Sequence, residues 1–207
     1  MEKIAYHLKH RSPALFRIVE RLARRVAVLR FGRRIKRALA ESYVQGVVRG
    51  RPAVMRSLNI DDLNSLQGFF EEMPAGHVKY FKPHGYERSD LRGVLESRAF
   101  LTYGLFIGDE MKGYALLKVA PTGSLYIGRL LHPSQVGQGL GAFLSRYLYW
   151  QASLAGLRAR STISRHNIAS LRSHQAVANF NIISELPNDY LLIEFEVASS
   201  DKPELSL

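Results

Sequence analysis

Apolar residues recur at helical spacing near the start of the chain: Leu15, Ile18, Val19, Leu22, Val26 and Leu29. Ser12-Pro13 precedes them as an N-cap followed by proline at the first helical position, and Gly32 follows as a C-terminal stop. Arg17, Arg21, Arg24 and Arg25 lie largely off that stripe. The pattern predicts a basic amphipathic helix, continued by a second one from Arg33 to Val48. The stripe is expected to pack on the main domain or on a second subunit, with the arginines solvated. Docking on an anionic membrane surface or an acidic protein is the alternative.

Gly50-Arg51-Pro52 is turn chemistry, and the pattern changes after it. Ala53–Leu58 reads as a strand, and Asn59 caps a helix running to about Glu72. Pro74, Gly76, Pro83 and Gly85 break the next stretch into a loop. Ser89 caps a second helix to about Arg98. A meander of strands follows, Phe100–Ile107, Met111–Val119 and Leu125–Leu131, turned by Gly108-Asp109-Glu110 and Pro121-Thr122-Gly123. Leu140, Phe143, Leu144, Tyr147 and Leu148 mark a helix that stops at Gly156. A strand at Arg158–Ile163, a helix from about Ile168 and a strand at Tyr190–Val197 complete the order βαα, βββ, αβαβ. This is an α/β chain of the α+β kind, a mixed sheet with helices on both faces. Residues 1–51 read as a basic helical extension, 52–200 as the main domain and 201–207 as a tail.

Charge sharpens that division. Of the formal net charge of +11, residues 1–51 supply all, with 14 Lys and Arg against 3 acidic residues, while the remaining 156 balance at 15 against 15. A nucleic-acid surface on the main domain therefore has no support in composition. The absence of cysteine excludes disulfides, thiolate metal sites and a cysteine nucleophile. The seven histidines show no HxxxH or HExxH spacing, so no metal is expected. Lys3, His7, Lys9, His10 and Arg11 interrupt any apolar signal core, and the cytoplasm is the expected location, with a place at the membrane periphery through residues 1–51 as the alternative.

The segment Pro133-Ser134-Gln135-Val136-Gly137-Gln138-Gly139-Leu140-Gly141 lies between a predicted strand and a predicted helix. Its G-x-G-x-G spacing permits positive φ and lets amide groups face inward, so the loop is an anion cradle suited to a pyrophosphate. It lacks the Gly-Lys-Ser/Thr ending of a P-loop and the spacing of a dinucleotide fingerprint. Together with the element order, LLHPSQVGQGLGAFL and HNIASLRSHQAVANF resemble the acyl-CoA pyrophosphate loop and the Asn-led helix of the GNAT superfamily of acyl-CoA N-acyltransferases. The resemblance covers roughly Pro52 to Val197. It departs from the family at Val136, where Gln or Arg is usual, at His174, where Tyr is usual, and at Asn179-Phe180, shifted by one from the usual Gly-Phe.

The resemblance implies a GNAT-like fold and acetyl-CoA as cosubstrate. Val136, Gly137, Gln138, Gly139, Leu140 and Gly141 would meet the pyrophosphate. Leu130 and Leu131 would pair their backbone with the pantetheine arm, and Asn167 would bond that arm with Ser170 nearby. His174 is the implied acid for the leaving thiolate. The third meander strand carries no carboxylate, so His132, Tyr126 or a water chain is left as base. His84 and Arg129 are candidates to bind the acceptor. The implied reaction is transfer of an acetyl group from coenzyme A to a primary amine of a small molecule in a ternary complex. FFEEMP and YFKPHGY look similar to relatives that modify amino sugars for surface polysaccharides. A protein N-terminal amine is the rival acceptor. A GNAT-shaped binding module without turnover, and an acyltransferase using an acyl-carrier-protein donor, are the rival functions. A homodimer is compatible with each.

Overall fold

A computed structural model describes residues 13–196 and 201–207, with side chains from residue 18 onward. Ser12, the side chains of Leu15 and Arg17, and Val197 lie outside those residues. Helix α1, Pro13–Ala40, runs straight through Gly32. A helical glycine costs only about 1 kcal/mol relative to alanine, and the packing on either side outweighs it. Ala27, Ile35 and Ala38 are buried in one seam against the domain.

That seam reverses the expected facing of the helix. Ile18, Val19, Leu22, Val26 and Leu29 are exposed. Arginines turn toward the protein instead: Arg24 lies 5.0 Å over the Phe100 ring, Arg30 donates to Pro121 O at 3.0 Å and Arg34 to Gly156 O at 3.1 Å. Long aliphatic stems let arginine cover apolar surface while its head finds carbonyls.

The second helix expected to Val48 is also replaced. Val44–Val48 forms strand β1, joined to β2, Arg51–Ser57, by Arg49 and Gly50 at φ 49° and 74°. Two consecutive positive φ values match the twist of a tight hairpin. The expected turn is therefore a hairpin turn inside the sheet. β-Branched Val44, Val47 and Val48 favour that strand over a helix. After a capped 3-10 turn, helices α2, Leu63–Glu71, and α3, Arg88–Glu96, precede the meander β3, Phe100–Ile107, β4, Glu110–Val119, and β5, Ser124–Leu131. Helix α4, Leu140–Ala155, strand β6, Arg158–Ser164, and helix α5, Ile168–Gln175, follow. Strands β7, Phe180–Leu186, β8, Tyr190–Phe195, and β9, Leu205–Ser206, finish the order.

Among the described residues the nine strands form one sheet in the order β7-β8-β6-β5-β4-β3-β2-β1-β9. Only β5–β6 and β1–β9 run parallel. β7 was not expected; its hairpin to β8 turns at Asn188 and Asp189, both at positive φ. Asn-Asp is hairpin chemistry, but Ile182 and Ile183 are both exposed on an edge strand, so no clean alternation announces it. Helices α2 and α3 cover one sheet face over a core including Leu66, Phe70, Leu91 and Tyr114. α1 and α4 cover the other, where α4 buries Leu140, Phe143, Leu144, Tyr147, Leu148 and Trp150. At about 1.5–3 kcal/mol per fully buried large apolar side chain, that face of α4 is the firmest support of the loop before it.

Candidate active site

The sheet opens at its centre. β5 and β6 pair only at Ser124–Arg158, Leu125–Ala159 and Tyr126–Arg160. Ser161 Oγ still reaches Ile127 O at 3.3 Å, and then the strands part, because β6 pairs onward with β8 while β5 stays with β4 to Leu131. The result is a wedge whose β5 wall has no strand partner beyond Tyr126. Peptide groups alternate sides along a strand. His132 N–H donates to Lys112 O on the β4 side at 2.9 Å, so Leu130 also faces β4. Arg129 and Leu131 therefore turn their peptide groups into the wedge. Of the expected pair, Leu131 offers backbone there and Leu130 gives its own to Tyr114 across the ladder. His77 is a residue the sequence reading missed. Its Nε2 lies 2.8 Å from Leu131 O, and since a carbonyl only accepts, the ring donates there.

The glycine loop continues from that wall. A 3-10 turn, Pro133–Gln135, is capped by the His132 side chain. Gly137 and Gly139 then sit at φ 81° and 79°, where a side chain is strained. Gly139 is the N-cap of α4, with no side-chain cap. The amides of Gly137, Gln138, Gly139, Leu140 and Gly141 donate to no acceptor among the described residues. Val136 N–H is already turned to Pro133 O at 3.3 Å, and its side chain is exposed. Unsatisfied amides at a positive helix end form an anion site.

Beneath the loop lies a cation without an anion. Arg129 projects from β5 toward α4 and α5, donating to Ser173 Oγ at 2.5 Å and to Ser170 O at 3.4 Å. A Cβ on Gly141 would stand 3.5 Å from Arg129 Nη1. Its Nε is buried without a partner, and no carboxylate pairs with it among the described residues. Burial lowers its pKa to about 10, and it remains charged at neutral pH. Asn167 caps α5 alongside, accepting from Ser170 N–H at 3.2 Å.

His174 belongs to this cluster. It is buried, with Nδ1 2.6 Å from Tyr149 OH. Burial raises the Tyr149 pKa, so the hydroxyl keeps its proton and donates to Nδ1, which leaves the imidazole proton on Nε2. Burial first, and then the Arg129 charge, hold His174 well below its ordinary 6.5. A neutral imidazole has no readily transferred proton but can donate a hydrogen bond, so the positive charge of the cluster rests on Arg129.

On the opposite face, Phe70, Phe81, Tyr86 and Tyr114 surround His84, with Phe70 and Tyr86 stacked at 4.7 Å. His84 Nδ1 lies 2.7 Å from Gly85 O and so carries the proton. Nε2 then accepts from Tyr114 OH at 3.0 Å. Burial lowers the His84 pKa as well. Tyr86 OH is buried without a partner, and burial pushes its pKa up to about 12. The two aromatic segments of sequence thus meet in one box. His132 and Tyr126 are engaged elsewhere: His132 with Glu72 at 3.2 Å and Ser134 at 2.7 Å, Tyr126 with Arg160. No group of His, Asp or Glu among the described residues could hold a metal ion.

Both depressed histidines leave a mark on stability. An unfolded histidine binds its proton near pH 6.5, whereas His174 and His84 stay neutral to lower pH when folded. Their contribution is intact above about pH 6.5 and is lost as pH falls toward the folded values, at up to about 1.4 kcal/mol per unit per histidine. Urea melts from pH 8 downward should show that loss, and His174→Gln should flatten it.

No family model matches the sequence, and no curated protein matches it. Solved structures match the fold. The GNAT domain of the S. lividans protein PAT superposes with a TM-score of 0.66 at 16% identity, covering 75% of this chain and 97% of that one. A ribosomal-protein α-N-acetyltransferase in complex with coenzyme A gives 0.59 at 17%, covering 76% and 99%. An aminoglycoside acetyltransferase in complex with coenzyme A and kanamycin gives 0.56 at 20%, covering 70% and 94%. The fold is that of the GNAT acyltransferases.

Proposed function

We propose that this chain is an acetyl-CoA-dependent N-acetyltransferase acting on a small primary amine. One observation carries the reading: a run of unsatisfied amides at the start of α4 continues into the open wall of the β5–β6 wedge, with the unpaired Arg129 cation beneath both. A ligand with a pyrophosphate, an amide-bearing arm and a terminal acyl thioester complements that line in order. The pyrophosphate takes the amides of Gly137 to Gly141. The arm pairs with the wedge-facing peptide groups of Arg129 and Leu131, displacing His77 from Leu131 O, and reaches Asn167.

The amine nitrogen attacks the thioester carbonyl carbon. A C–N bond forms and the C–S bond breaks, so negative charge grows first on oxygen and then on sulfur. With the arm on Leu131, the wedge-facing N–H of Arg129, next along β5 from the loop, stands beside the oxyanion. Arg129 and the Nε2–H of His174 stabilise the thiolate, a field worth orders of magnitude when it is preorganised away from water. The amine proton leaves to water in the open wedge, since His132 and Tyr126 already hold other partners. Proximity supplies the rest, because a thioester is an activated acyl group.

The acceptor enters from the face of the His84 box. The likeness of FFEEMP and YFKPHGY to relatives that modify amino sugars favours an amino sugar. Coenzyme A thiol release, followed with amino sugars and with peptide α-amines, tests this. Release is expected with an amino sugar. Release with peptides alone would move the acceptor to protein termini. Donor binding without release on any amine would mark a binding module, and turnover only with a carrier-protein thioester would replace the donor.

A further inference from the structure

We infer that the outward face of α1 is a docking surface for a bilayer bearing anionic phospholipid. Ile18, Leu22, Val26 and Leu29 lie along one side of the helix, with Val19 beside them, and Leu29 is 84% exposed. On a helix of 1.5 Å rise the line is about 17 Å long. These are large aliphatic side chains on a convex surface. Scattered exposed aliphatic side chains are ordinary, but a row of four with a fifth beside it on a single helix is not.

The row cannot be turned inward by a small rotation. Ala27, Ile35 and Ala38 are buried on the other side of α1. The Arg30 and Arg34 bonds to Pro121 and Gly156 tie the helix to the domain at two separate turns, and Glu20 is held between Arg24 and Lys118. The exposure is thus built into the fold.

Charge selects the occupant. Residues 13–40 hold nine Lys and Arg and one acidic residue, Glu20, which is already paired. Arg21 and Arg25 flank the apolar row on one edge, and Arg33, Lys36 and Arg37 extend it, all exposed. A second copy of this chain would set two such cationic faces against each other. An acidic protein would have to supply a matching groove for a convex row. A membrane interface needs no matching shape: the aliphatic row enters the acyl boundary and the flanking arginines meet headgroup phosphates. Among the described residues no helix is long and apolar enough to cross a membrane, so the helix lies along the surface.

The test is co-sedimentation of the full chain with phosphatidylcholine vesicles, with and without phosphatidylglycerol. Wild type is expected to bind only the anionic vesicles, and to release as salt is raised. Leu22→Asp with Leu29→Asp should weaken that binding at least about tenfold, as should Arg21→Glu with Arg25→Glu. All four side chains are exposed, so melting temperatures should hold. Failure of wild type to bind anionic vesicles would overturn the proposal. So would undiminished binding by both variants, or a solution dimer that the leucine variant dissolves. None of these outcomes bears on donor binding, which the same preparations report through acetyl-CoA affinity.

Discussion

Replacing Arg129 by methionine is expected to leave the protein as stable as before, or to stabilise it by about 1 kcal/mol or more, while turnover falls on the order of 100-fold. The two halves of that result come from one geometry. Arg129 is a buried charge whose neighbours are a serine hydroxyl and a backbone carbonyl, with Nε unsatisfied. Taking it out of water costs more than those contacts return, so an apolar side chain of similar length relieves the folded state. A structural role predicts the reverse: loss of stability in step with loss of activity. Denaturant melts and coenzyme A release on one preparation separate the two. The loss should fall mainly on kcat if Arg129 acts on the thiolate. It should fall on donor affinity if its main partner is the pyrophosphate.

The second large effect is expected at Gly137. Aspartate there should weaken acetyl-CoA binding on the order of 100-fold, because a carboxylate in the amide cradle repels the pyrophosphate and competes for the same N–H donors. Gly137 suits this test better than its neighbour. A Cβ at Gly137 meets no atom within 4 Å, whereas at Gly139 it would lie 3.2 Å from Leu207 Cδ2. Aspartate also tolerates a φ of 81° better than most residues, so the fold should lose only about 1 kcal/mol. Calorimetric titration of wild type and Gly137→Asp measures the difference.

The backbone of the proposed donor loop was legible in sequence because its chemistry is local. Glycine spacing, a proline and a helix start lie within nine residues, and each demands a particular backbone, so Gly137 and Gly139 at positive φ and Asn167 at its cap follow from short-range rules. The wedge was legible only through the resemblance, since nothing in the β5 residues announces where β6 leaves it. The other residues that matter depend on separations no local pattern encodes. His77 meets Leu131 across 54 positions, Arg129 meets Ser173 across 44, and His84 meets Tyr114 across 30.

The facing of α1 failed for a different reason. Apolar periodicity marks a stripe but not which side is buried, and here small residues such as Ala27 and Ala38 form the buried seam while the larger row stays outside. Small side chains let α1 approach α4 closely, and that contact prevails over the bulkier stripe. Val44–Val48 was misread because the preceding helical period carried past Ser42. The β-branched valines and the Arg49-Gly50 turn were the available signal.

The most direct test of the account is the melting temperature of the wild-type protein with and without saturating acetyl-CoA, with Gly137→Asp as control. A donor held in the cradle and wedge at about 100 times its Kd adds about 2.7 kcal/mol, a rise of roughly 5–10 °C for a chain of this size. The account predicts that rise in wild type and about 1 °C or less in the control. An unchanged wild-type melting temperature would contradict it.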